Sequence, residues 1–181
     1  MKDSKQKNPK KKYVGKFSDF ILNEIFATPK KTVYKLEQEE SKYFPGNLNY
    51  LAKFNTDSGE EYILNLLYVE DLISPFPNRP MYNISFTIAE QYDLTNYIKY
   101  EKDTDKGEHF EVVSRLIHII SNVDLLISNE YPNVIYIIGE TENIKKINFY
   151  RDIIKNSLKN YSELKGDSSI NLGRSAFYYW K

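Results

Sequence analysis

Two histidines, His109 and His118, are the first residues to weigh for chemistry, because imidazole is both a common metal ligand and a common general base. The segment GEHFE superficially resembles HExxH, but the second His of that motif is missing. His109 and His118 stand nine residues apart on one predicted helix, about half a turn out of phase at ~100° per residue, so they cannot share a metal without a bend. His109 reads instead as a first-turn helix residue. Ser168 and Ser169 sit in the loop KGDSSINLGR, without the G-x-S-x-G elbow that would raise a nucleophile. Asp and Glu total 25 but are scattered, and no pair has a special spacing. The seven glycines form neither G-x-G-x-x-G nor a P-loop. With no cysteine there is no thiolate nucleophile, no Cys-ligated zinc and no disulfide framework, and a reducing compartment is the expected setting. The residues therefore predict a non-enzymatic protein with no catalytic, cofactor or metal site.

The elements that would hold such residues can be read from periodicity. Residues 31–37 (KTVYKLE) predict a strand. Leu48–Asn55 places Leu48, Tyr50, Ala52 and Phe54 on one face, and Thr56-Asp57-Ser58-Gly59 reads as a hairpin turn. Glu61–Val69 returns with Tyr62, Leu64, Leu66 and Tyr68 on one face and Ile63, Leu67 and Val69 on the other. A Pro-rich loop, SPFPNRP, leads to residues 81–89, whose clean alternation predicts a half-buried antiparallel strand. Residues 108–129 carry a wide apolar stripe (Phe110, Val113, Leu116, Ile117, Ile120, Val123, Ile127), with Val112, Ile119 and Leu126 beside it. Glu111, Arg115, His118 and Asn122 form its polar stripe. Residues 134–138 (VIYII) predict an interior strand. A helix over 142–160 takes Thr141 as N-cap and turns Ile144, Ile147, Tyr150, Ile154 and Leu158 inward. Residues 161–164 and 176–180 close the fold as strands. This order predicts an α+β domain over 31–181, with a mainly antiparallel sheet and two helices on one face.

Ahead of that domain, residues 1–16 hold Lys2, Lys5, Lys7, Lys10, Lys11, Lys12 and Lys16 against Asp3, a net +6 that leaves −6 for the remainder. Such a stretch predicts a basic extended arm, with two readings: a solubilising tail, or a binder of nucleic acid or of an acidic protein surface. Residues 17–28 predict a short helix with Ser18 as N-cap and a Phe17–Leu22 staple. Phe20, Ile21, Leu22, Ile25 and Phe26 exceed what one stripe needs. That helix either packs on its own domain or docks on another subunit, with Phe20, Ile21, Ile25 and Phe26 as the contacts.

Composition sets the outer bounds. At 181 residues and 41% hydrophobic content the chain predicts one globular domain with a real core. No apolar run approaches the ~20 residues a membrane helix needs, and no apolar segment follows the first lysines, so neither a membrane span nor a secretory signal is expected. The count of 21 Lys, 19 Ile, 17 Asn and 16 Tyr against 4 Arg points to an AT-rich genome.

Two resemblances add to this. ENIKKINFYRDIIKNSL resembles the late segment of GCN5-related acetyltransferases, with Asn148, Phe149 and Tyr150 as the matching residues. That family also needs a glycine-containing pyrophosphate loop, which FTIAEQYDLTNYIKYEKDTDKG does not supply. From about Phe86 onward, KGEHFEVVSRLIHII, YIIGETENIKKINFYRDIIKNSL, and GDSSIN followed by AFYYW resemble small virion-associated proteins of AT-rich, crAss-like tailed bacteriophages. The stretch YPNVIYIIGETENIKKINFYRDII is also similar to an uncharacterised bacterial domain. The phage resemblance implies a structural protein of the virion, assembled in the host cytoplasm, in a head–tail connector, neck or tail ring. Its partners would be portal or neighbouring ring proteins and further copies of itself in a homo-oligomeric ring, with packaged DNA as a contact of the arm. The alternatives are a small acyltransferase-like enzyme and an accessory nucleic-acid-binding protein.

Overall fold

The computed structural model describes residues 29–70, 76, 78–89, 109–139, 144–167 and 175–181. The arm over 1–16 and the helix over 17–28, with every binding residue assigned to them, lie outside the described residues.

The described elements are strands β1 (Lys35–Glu40), β2 (Leu48–Asn55), β3 (Glu61–Val69) and β4 (Met81–Ile88), helix α1 (His109–Glu130), strand β5 (Ile135–Gly139), helix α2 (Ile144–Ser157), and strands β6 (Ser162–Asp167) and β7 (Ser175–Trp180). The strands form one seven-stranded sheet in the order β1-β2-β3-β4-β5-β7-β6. Both helices pack on one face of it, and the chain is α+β as its periodicity predicts.

The β2–β3 hairpin follows from its alternation and its turn. Phe54 pairs with Tyr62 and Asn55 with Glu61. The Thr56 N–H donates to Glu60 O at 2.9 Å, and the Gly59 N–H donates to Thr56 O at 3.0 Å. Gly59 closes the turn at φ 93°, a conformation costly to any residue with a Cβ. Tyr50, Ala52, Phe54, Tyr62, Leu64 and Leu66 then face the helices and are buried.

The first strand starts four residues later than its sequence suggests, at Lys35 rather than Lys31. The cause is competition for backbone donors. The Lys30 N–H donates to Ser114 Oγ at 2.6 Å, and the Thr32 N–H donates to His118 Nδ1 at 3.3 Å. Residues 30–32 thus form a strap along α1 instead of a ladder along β2. The polar stripe of α1 is where that strap lands. Arg115 Nη2 meets Glu111 at 2.5 Å and Asp57, in the β2–β3 turn, at 2.6 Å. Lys30 Nζ also reaches Asp57, at 2.5 Å. Arg115 is buried, so Arg115→Ala removes its contacts to Glu111 and Asp57, leaves Glu111 the Asp57 N–H at 2.7 Å, and should lower stability by about 1–3 kcal/mol in denaturant titrations. Lys30→Ala, at an exposed pair, should barely move the midpoint.

The sheet carries a cross-strand row of tyrosines, in which Tyr68 pairs with Tyr82, Tyr82 with Tyr136 and Tyr136 with Tyr179. Their phenols are pushed up by burial. Two of these hydroxyls have carboxylate acceptors: Tyr136 OH donates to Asp124 at 2.9 Å and Tyr179 OH donates to Glu163 at 2.8 Å. Tyr161 OH donates to the same Asp124 oxygen at 2.5 Å, which ties the end of α1 to β5 and to the start of β6.

Two apolar positions of α1 depart from expectation. Phe110 and Leu126 stay substantially exposed, as does Leu125. Phe110 sits in the first turn, and Leu126 is ~100° off the Val123–Ile127 line that meets the sheet. Ile154 of α2 and Leu158 just past its end are buried as predicted, and Tyr150 is half-buried. Its described span, Ile144–Ser157, is shorter than 142–160, and its predicted cap Thr141 lies outside the described residues.

Candidate ligand site at a fork in the sheet

The strand over 81–89 is not antiparallel on both sides. It pairs antiparallel with β3, but its other neighbour, β5, is parallel. A parallel neighbour needs a crossover, and α1 with its flanking residues supplies it. The β4–β5 pairing covers only Met81–Ile135, Tyr82–Tyr136 and Asn83–Ile137. Past that point β4 continues alone with β3, out to Ile88 opposite Tyr62. Strand β5 continues with β7, out to Gly139 opposite Ala176. The sheet is therefore two half-sheets joined by three residue pairs, with a fork at the carboxyl ends of its parallel strands.

Each strand of the fork leads, through residues outside the described set, toward a helix N-terminus: His109 after β4, and Ile144 after β5. The inner edge of β4 beyond Asn83 has no strand partner among the described residues, so its backbone N–H and C=O groups have no ladder there. On the helix side the fork is flanked by apolar groups: Ile84, Ile88 and Ile138 are buried. Phe86 of β4 meets Tyr150 of α2 edge to face, with ring centroids 5.1 Å apart. Tyr150 packs in turn on Phe149, while Asn148 is exposed. Apolar walls around backbone donors and acceptors suit an extended ligand that carries amides.

Other polar groups are engaged in holding elements together. His118 accepts from Thr32 and lies 3.2 Å from Asn122 Nδ2. Glu163 is contacted by Arg151 Nη2, by Tyr179 OH and, at 3.3 Å, by Lys155 Nζ. Burial, the strongest influence, pushes its carboxyl up. Those three hydrogen bonds outweigh it and hold the group below the ordinary glutamate range. No group of three or more His, Cys, Asp or Glu among the described residues could hold a metal ion, and no described helix is long and apolar enough to cross a membrane.

The structure brings Tyr150 and Phe149 to the fork, but it tests neither the basic arm nor Phe20, Ile21, Ile25 and Phe26. Of the stretch 86–107, which lacks a glycine-containing pyrophosphate loop, the first residues end β4, while 90–107 and the His109 side chain are outside the described residues. The fork itself was missed from sequence. Its signal was present: two strands flanking a 22-residue helix are joined by a connection long enough for a parallel crossover. Comparison with protein-family models, with curated proteins and with solved structures finds no match to this chain.

Proposed function

We propose that this domain binds a thioester of the pantetheine class in the fork between β4 and β5. The observation that carries the reading is the loss of β4–β5 pairing after Asn83 and Ile137. An extended amide chain could continue the ladder there, and the Phe86–Tyr150 contact would form its apolar wall. The resemblance of Asn148, Phe149 and Tyr150 to acetyltransferases supports the same ligand class. The proposal is one of binding and includes no turnover. Acetyl-coenzyme A titrated into the isotope-labelled full chain should shift backbone amides of Ile84–Ile88, Ile138 and Gly139, and Phe86→Ala should weaken binding roughly tenfold. Unmoved amides at millimolar ligand, or shifts confined to other elements, would sink it.

A second reading, assembly into the neck or tail ring of a tailed-phage virion, is favoured by the exposed pair Leu125 and Leu126 near the end of α1, at 61% and 48%. Exposed apolar neighbours on a helix are a common form of subunit contact. The expected partners are portal or neighbouring ring proteins and other copies of the chain, with packaged DNA a further contact for the arm. Mass measurement of the chain alone and mixed with virion proteins tests it. A chain that stays monomeric in both cases contradicts it.

A further inference from the structure

Two backbone donors of the strap face two acceptors of α1, and the spacings match. Lys30 and Thr32 are two residues apart, roughly 7 Å in extended chain. Ser114 and His118 lie one turn apart on the same side of α1, at a comparable separation of roughly 6 Å. The Lys30 N–H reaches Ser114 Oγ at 2.6 Å, and the Thr32 N–H reaches His118 Nδ1 at 3.3 Å. The Thr32 hydroxyl donates back to Lys30 O at 2.9 Å. Lys31 and Val33 on either side are exposed, whereas Thr32 is buried. The two acceptors differ in one respect. A serine hydroxyl can accept with or without an added proton nearby, but an imidazole nitrogen accepts only while it carries none. A backbone N–H cannot reverse its role. The Thr32 contact therefore selects the neutral ring with its proton on Nε2, beside the Asn122 amide at 3.2 Å. Protonating Nδ1 would set one donor against another.

We infer that His118 is a pH-sensitive latch on the strap: protonation of its ring lifts residues 31–33 off α1 while Lys30 stays held by Ser114. Imidazole ordinarily titrates between about pH 5 and pH 8, where carboxylates and ammonium groups ordinarily keep their charge. The charged groups on this side of α1 balance one another among the described residues. Arg115, one turn before His118, meets Glu111 at 2.5 Å and Asp57 at 2.6 Å. Lys30 meets Asp57 at 2.5 Å and Glu111 at 3.8 Å. These two cations take up both carboxylates, so neither is spare to hold an imidazolium in place. From the strap, Tyr34 presents a ring edge to the imidazole, with centroids 6.5 Å apart. Release uncovers the His118 ring and the Asn122 amide on the polar stripe of α1. The proton that frees the strap is thus the one that places a new cation on the uncovered stripe.

The chain has two histidines, which makes the test direct. In the full chain carrying His109→Gln, the one remaining imidazole signal reports the protonation of His118. Amide-exchange protection of Lys30 and Thr32, corrected for the intrinsic pH dependence of exchange, is followed from about pH 8 to about pH 5. Thr32 protection is expected to fall roughly fivefold, the contribution of one neutral hydrogen bond, in step with the imidazole signal, while Lys30 stays level. Adding His118→Gln, whose amide oxygen accepts throughout this range, should make Thr32 protection independent of pH. An imidazole that stays neutral to the acid end of the range would overturn the inference. So would one that titrates while Thr32 keeps its protection. A parallel loss at Lys30 and Thr32 would show general loosening and no latch. The same fall persisting in the His118→Gln chain would assign the effect to another group, and either result overturns the inference.

Discussion

Leu116→Ala is expected to cost about 3–4 kcal/mol, the largest effect of any single truncation considered for this chain. Leu116 is fully buried at the middle of α1, in the cluster with Tyr50, Leu64, Tyr82 and Tyr136 from the sheet. Removing three carbons there loses their transfer free energy. It also leaves a cavity that strands fixed by their ladders cannot collapse to fill. The measurement is urea unfolding, with the midpoint falling and the slope unchanged. Leu125→Ala, on the exposed side of the same helix, is the control and should stay within about 0.5 kcal/mol. If the two substitutions cost the same, α1 does not lie on the sheet as described.

The elements were largely legible because their patterns are local. Alternation over Leu48–Asn55 and Glu61–Val69, with Gly59 between, fixes a hairpin whose strands match the sequence reading residue for residue. The continuous apolar run at 134–138 correctly marks an interior strand, observed as Ile135–Gly139 between β4 and β7. What failed was non-local. The apparent strand at 31–34 gives way to a strap because the N–H groups of Lys30 and Thr32 go to Ser114 and His118, residues more than 80 positions away that no local pattern connects to it. The polar stripe of α1 gave no hint that it would receive a strap. The fork depends on where β4 and β5 stop pairing, and alternation reports which residues are inward, not which neighbour a strand keeps. Tyr150 was noted for its type and position, but its partner Phe86 came only from the fold.

The last expectation concerns how the two half-sheets are held at the fork. Consecutive residues of α2 reach toward opposite sides. Tyr150 contacts Phe86 on β4, whereas Arg151 contacts Glu163 on β6 and lies 4.3 Å over the Phe177 ring on β7. Arg151→Ala removes a partly buried ion pair and a cation–π contact together, and should cost about 2 kcal/mol near pH 7. It should also loosen α2 over the β6–β7 half while leaving the β3–β4 half intact, which amide exchange can resolve. The pH dependence has a definite sign. Glu163 titrates lower when folded than when unfolded, so the unfolded chain binds more protons through that range. Its contribution is present in full above the unfolded value of about 4.5, and is lost as pH falls through the lower folded value. Glu163→Gln should therefore be less stable than the parent at pH 7 and should lose less on acidification below pH 4.5. At the alkaline end the buried phenols of Tyr136, Tyr161 and Tyr179 act with the opposite sign. Held protonated by burial and by their carboxylate acceptors, they stabilise the fold below the ordinary tyrosine value of 10 and withdraw that support above it. Parallel acid slopes for parent and Glu163→Gln would remove Glu163 from the account and leave the grip of α2 on β6 to packing alone.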